Sequence, residues 1–196
     1  MATSLLKKFE GGLAFNDIES YTSKARTWYM KELKAMIVNR QKLLRDPEVM
    51  KKSRLLPGRM FMYIYDPKHK DTLPYYDRFP LVLALEKNKN GPGFYGLNFH
   101  YLDYRKRAIL LSRLLKYASD KRFNENTKIR VTYKMLKAAS QLEAFKPCLK
   151  LYLPSQIKSQ IKMIPADYWE TALFFPSEQF KKETKNNVFA DSRRKI

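Results

Sequence analysis

The side chains best suited to chemistry in this sequence are two histidines, His69 and His100, one cysteine, Cys148, and four aspartates in or beside a Tyr-rich stretch, Asp66, Asp71, Asp77 and Asp103. A histidine beside a carboxylate makes a general base, and converging carboxylates with a lysine make a metal nuclease centre. The spacing supplies neither. The histidines lie in different expected elements and fit no HExxH or other metal-binding pattern. A solvated loop residue at 69 and a strand residue with a local hydrogen bond at 100 explain them more simply than acid-base work. Asp66 sits in Asp-Pro, Asp77 in a Tyr-rich loop and Asp103 at a helix start, where turns and caps account for them. Lys68, Lys70 and Lys87 make a metal nuclease conceivable without making it specific. Cys148 follows Pro147 and precedes an alternating apolar run, so it reads as a small buried hydrophobe. As the lone cysteine it permits no intramolecular disulfide and no Cys-rich zinc pattern, and it fits a reducing compartment. The glycines are scattered, and none of Gly91, Gly93 or Gly96 leads into a helix start as a phosphate-binding loop would. These patterns predict no catalytic residue, no metal ligand and no cofactor. A nucleic-acid-cleaving enzyme, either a small-barrel endoribonuclease or a DNA end-processing nuclease, would have to draw on Arg78, His100 and Asp103.

The stronger signal is cationic. Lys plus Arg is 39 against 19 for Asp plus Glu, a net charge of +20 over 196 residues. Residues 104–162 hold 15 basic and 3 acidic side chains, 15 − 3 = +12, while 59–103 hold 6 and 5 and 163–196 hold 6 and 5. The charge therefore gathers in one segment. With 44% hydrophobic and 14% aromatic residues the chain is still rich enough in buriable side chains to fold. Such a balance implies a polyanionic partner, because summed charge drives association more than it decides fold. Along Tyr104–Ala118, residues 104, 108, 110, 111, 114, 115 and 118 share an apolar face, and Arg105, Lys106, Arg113 and Lys116 fall on the opposite one. Lys121, Arg122, Lys128 and Arg130 continue the stripe, followed by Lys134 and Lys137. A solvated solubilising surface is the plain alternative, but interspersed acids would be expected of one, and only Asp120, Glu125 and Glu143 occur across 104–162.

The elements that must carry these residues follow from periodicity. Residues 1–56 read as an arm and a helix capped at Thr22 or Ser23 and stopped by Asp46-Pro47. After Pro57-Gly58 the period becomes two: Arg59–Tyr65 is a strand, and Phe79–Leu85 and Phe94–Tyr101 form a hairpin across the turn-forming NKNGPG. A helix over Thr132–Phe145, strands over Cys148–Leu153 and Ser159–Ile164, and a short helix opened by Pro165 complete residues 57–180, leaving 181–196 as a basic C-terminal tail. This order predicts an α+β fold built on a small, bent antiparallel barrel of SH3-like type, with the N-terminal helix and inserted amphipathic helices. An open α+β sheet with helices on one face writes nearly the same pattern. The apolar runs are far shorter than the roughly 20 residues of a membrane helix, and Met1–Lys8 has no signal-peptide core.

The stretch Pro57–Leu115, with YDPK at Tyr65–Lys68, LPYYDRFPLV at Leu73–Val82 and GLNFHYL at Gly96–Leu102 ahead of the basic helix, resembles small virion proteins of large contractile-tailed bacteriophages. The segments Ala166–Phe180 and Val188–Ile196 are similar in the same way. Among those proteins the DNA end protectors are nearest, and baseplate hub components next. The resemblance implies a non-catalytic structural or assembly protein, present in the virion and in the host cytoplasm during assembly. It also implies other virion proteins as partners in a symmetric hetero-oligomeric assembly, with double-stranded DNA or acidic subunits against the basic face and no membrane.

Overall fold

A computed structural model of the protein describes residues 54–104, 124–174 and 176–194, together with positions 24, 27, 28, 31, 45, 46, 51, 52, 106, 107 and 110. Its main sheet has six antiparallel strands. They are β1 (Lys51–Lys52), β2 (Met60–Met62), β4 (Leu81–Lys87), β5 (Phe94–Asn98), β6 (Leu149–Tyr152) and β7 (Lys162–Ile164), in the order β1-β7-β2-β4-β5-β6. A second pair joins β3 (Tyr76–Asp77) to β8 (Phe180–Lys181). Three helices are described in full, α1 (Glu125–Ser140), α2 (Trp169–Phe174) and α3 (Lys185–Arg194).

The α+β class and the antiparallel strands are as expected, but the sheet is open. Its ends are β1 and β6, and no closed barrel forms among the described residues. The reason lies in the strands themselves. A small barrel buries one side of each strand, whereas MFMYIY and LVLAL are apolar at every position and are buried on both faces. Met60, Met62, Leu81, Leu83 and Leu97 enter the larger core with Leu136, Trp169 and Leu173 from the helices. Their neighbours Phe61, Tyr63, Val82, Ala84 and Phe94 turn the other way, into a smaller cluster with Tyr65 and Tyr152. The smaller cluster is built by the sheet itself, which curls so that the Tyr63 and Tyr152 rings meet edge to face at 5.7 Å.

The expected hairpin is present, with Val82 opposite Asn98, Leu83 opposite Leu97 and Ala84 opposite Gly96. Gly96 is required by crowding, since a Cβ there would lie 2.3 Å from Val82 Cγ1 and 3.1 Å from the Leu83 carbonyl oxygen. Beyond Asn98 the strand gives way to a 3-10 turn, Phe99–Tyr101, because the Asn98 side chain accepts the His100 N–H and caps it. The α1 helix begins seven residues before the expected Thr132. Asn124 supplies the cap, accepting from the Thr127 N–H at 2.8 Å, and Glu143–Cys148 forms a separate 3-10 turn after the helix.

At the C-terminus, within the stretch expected as a tail, Lys181 closes β8 and Lys185–Arg194 form α3. Val188 and Phe189 are buried, and Val188 belongs to the main core. Only Lys24, Thr27, Trp28 and Lys31 of the expected N-terminal helix are described; they are helical, and Trp28 packs against that core.

Candidate nucleic-acid interface

The basic helix starts where expected. Tyr104, Lys106, Arg107 and Leu110 are helical, and Asp103 caps them, its carboxylate accepting the Lys106 N–H at 3.0 Å. Lys106 is half-buried beside Cys148. Burial pushes that thiol up to about 12, against the pull of the Lys150 and Lys106 charges. Cys148 is fully buried and donates to the Phe145 carbonyl, as a small core residue would.

Arg107, next in sequence, points the opposite way. It is fully buried, its guanidinium donating to the carbonyls of Leu102 at 2.8 Å, Leu173 at 2.9 Å and His100 at 3.2 Å, and it lies 4.6 Å from the centre of the Tyr104 ring. This arginine is a structural clamp between the basic helix and the end of α2. Glu178 answers its charge. Burial raises the Glu178 carboxyl, but Arg107, His100 and a 2.7 Å hydrogen bond from the Tyr104 hydroxyl outweigh that and hold it at about 2.

Of the eight residues expected on the basic face, Lys128 and Arg130 lie in α1, and Arg130 is exposed. Lys134 and Lys137 follow on the same side at four- and seven-residue steps, both exposed. Lys137 lies 3.4 Å from Glu86, whose carboxylate also accepts from Tyr133 at 3.1 Å. Arg105, Arg113, Lys116, Lys121 and Arg122 lie outside the described residues.

The residues a nuclease would have used do not converge. Arg78 is exposed and joins the fold by its backbone, donating to the Gln179 carbonyl and accepting from the Tyr65 N–H. Asp103 is engaged in its cap. His100 is fully buried in a relay invisible to sequence spacing: its Nδ1 lies 2.6 Å from Asp77 Oδ2 and its Nε2 3.1 Å from Ser177 Oγ. Asp77 also accepts from the N–H groups of Phe79 and Gln179 and from the Asn98 amide. Burial raises the Asp77 carboxyl, yet the His100 charge and these bonds hold it below the usual carboxylate range. The connectivity is that of a Ser-His-Asp hydrolase triad, but Ser177 is 0% exposed, so no substrate reaches its hydroxyl as placed. What the relay does here is pin β3, the 98–100 turn and the segment after α2 to one another. His69 is exposed in a turn, and Asp66 is engaged by Lys70 at 3.1 Å. Among the described residues no group of three His, Cys, Asp or Glu side chains is placed to hold a metal ion, and no helix is long and apolar enough to cross a membrane.

The chain is a strongly basic α+β protein that places His100 and Asp77 in an internal relay and leaves Arg130, Lys134 and Lys137 exposed on α1. The chain belongs to the phage T4 terminal DNA protecting protein family, whose model matches residues 12–194. The match spans the phage-like stretches on either side of α1, so the virion-protein resemblance is borne out. No curated protein and no solved structure matches the chain.

Proposed function

We propose that this protein binds the ends of its phage's linear double-stranded DNA and shields them from degradation, acting as a structural cap within the virion. The family match over residues 12–194 is the observation that carries this reading. The net charge of +20 supports it. Packaged DNA is a dense polyanion, and lysines and arginines brought against its phosphates gain free energy by releasing condensed counterions. The contact face in this reading is the basic one, Arg105, Lys106, Arg113, Lys116, Lys121, Arg122, Lys128 and Arg130. Phosphate contacts of this kind carry no base information, so the cap serves any terminal sequence. A baseplate hub component would set the same cations against acidic subunits; the family match favours DNA.

The test is exonuclease challenge. Purified protein should protect a linear duplex from a double-strand exonuclease, and the protection should fade steeply with added salt. It should leave unchanged the rate at which an endonuclease cuts a closed circle of the same sequence. Equal protection of both substrates would reduce the protein to a general DNA coat. Cleavage of the duplex by the protein itself, abolished by His100→Ala, would overturn the structural role.

A further inference from the structure

Between β6 and the 65–77 segment lies a cleft of about 360 Å³ whose lining includes five tyrosines. Tyr65, Tyr101 and Tyr152 form its buried floor, with Tyr65 and Tyr152 edge to face at 5.0 Å. Two of these hydroxyls are held internally: Tyr65 accepts from the Leu153 N–H, and Tyr152 is bonded to Asn98. The rings are therefore fixed rather than adaptable. Tyr75 and Tyr76, both half-buried, form the wall. Tyr75 is anchored on Tyr101, Phe180 and Asp191. The Tyr76 side chain makes no ring contact and no hydroxyl hydrogen bond among the described residues, which leaves a π-face for something else.

Two lysines stand on the rim. Lys68 is exposed at one side, and the Lys150 ammonium stands 4.1 Å above the Tyr101 ring at the other. The carboxylate in the lining is Asp77, whose charge is taken up inside by His100, Asn98 and two backbone N–H groups. A site with aromatic walls, positive edges and no outward-facing carboxylate fits a ligand with a flat π-system bonded to an anion. At about 360 Å³ it falls at the small end of single-ligand sites, the size of one nucleotide rather than a length of duplex.

We propose that this cleft seats the terminal nucleotide of a DNA end, its base stacked on Tyr76 and its phosphate between Lys68 and Lys150. This rests on the DNA-end reading and deepens it. Stacking on tyrosine tolerates any base, as a terminus of arbitrary sequence requires. It also explains how a protein can tell an end from an interior without reading sequence, because unstacking a base is easiest where one neighbour is missing.

The test uses the full-length protein with a blunt linear duplex and a relaxed closed circle of the same sequence, the linear one carrying 5-iododeoxyuridine at either a terminal or a central position. Light should cross-link the terminal nucleotide to Tyr75 or Tyr76, with the central one giving no cross-link in the cleft. Tyr76→Ala should weaken linear-duplex binding about tenfold and leave binding to the circle unchanged, while Tyr76→Phe keeps the preference. Lys68→Ala, at an exposed position, serves as a second variant should Tyr76→Ala unfold, and should lower the salt slope for the linear duplex by about one. If the wild type binds linear and circular DNA equally, the DNA-end reading itself fails. If it prefers ends but cross-links outside the cleft, and both variants keep the full preference, the cleft assignment alone is overturned.

Discussion

Removing the Asp77 carboxylate should cost this protein more stability than truncating any exposed carboxylate. Asp77→Ala leaves four donors without their acceptor: the N–H groups of Phe79 and Gln179, the Asn98 amide at 3.2 Å and the His100 ring at 2.6 Å. Asp77, Asn98, His100 and Phe79 are all at most 3% exposed, so water does not replace the lost partner. A buried polar group left unsatisfied costs about 1–3 kcal/mol, and several such donors share this one carboxylate. Allowing for relaxation around the small alanine, a total of roughly 4 kcal/mol is expected. For a domain of this size about 1 kcal/mol moves the melting temperature by roughly 2–4 °C, so the loss should be about 8–16 °C. Asp77→Asn retains one oxygen for the two backbone donors and should lose about half as much. Thermal unfolding followed by circular dichroism at pH 7 measures both. A drop below about 3 °C for Asp77→Ala would show that the relay carries no weight in the fold.

Acid should unfold the protein through the same region. Glu178 is held at about 2 in the fold against an ordinary 4.5, so its contribution is fully present above about pH 4.5 and is lost as pH falls toward 2. The difference corresponds to about 3 kcal/mol, and Glu178→Gln should flatten the fall in urea midpoint between pH 5 and pH 2.5. Gly96→Ala should destabilise by about 1–3 kcal/mol, because its Cβ would meet Val82 Cγ1 at 2.3 Å. Val82→Ala in the same chain should restore part of that loss in a urea titration, and no restoration would place the clash elsewhere. Reversing Arg105, Lys106, Arg113 and Lys116 to Glu should weaken DNA binding and shrink its logarithmic salt dependence by about 0.9 for each phosphate no longer neutralised. Unchanged affinity at low salt would remove those residues from the interface.

The central part of the fold is legible in the sequence because the β2, β4 and β5 strands are near one another in the chain and strongly patterned. The hairpin from Phe79 to Tyr101 needs only two apolar runs and the turn formers between them, and the short helix after Pro165 needs only its Pro. Barrel closure fails as an expectation for a reason also written in the residues. MFMYIY and LVLAL never alternate with polar side chains, and a strand apolar at every position is one covered on both faces. The C-terminal helix escapes a reading by pattern because Val188 and Phe189 are two apolar positions in a basic stretch, too few to show a helical period on their own.

The site is less legible, because its chemistry comes from distant segments. Asp77 and His100 stand 23 residues apart and His100 and Ser177 stand 77 apart, so no local motif announces the relay. The hairpin brings the first pair together, and the β3–β8 pairing returns the segment after α2 to complete the second. The same closure makes the tyrosine cleft. Tyr75 and Tyr76 are adjacent in sequence, but the floor needs Tyr101 from the far end of the hairpin and Tyr152 from β6, and the rim needs Lys150 from that strand. Charge counting along a helix fails in a related way: Arg107 adds one to the total yet is spent on three carbonyls in the core, while Lys150, far from the basic helix in sequence, acts together with Lys106 on the Cys148 thiol. A net charge therefore locates a partner's sign, and only the packing of side chains decides which cations meet it. Here that packing sets Lys150 over the Tyr101 ring, at the rim of the tyrosine cleft that Lys68 also lines. The cleft is thus the place where the family's DNA-end role and the chain's own chemistry can be tested against each other.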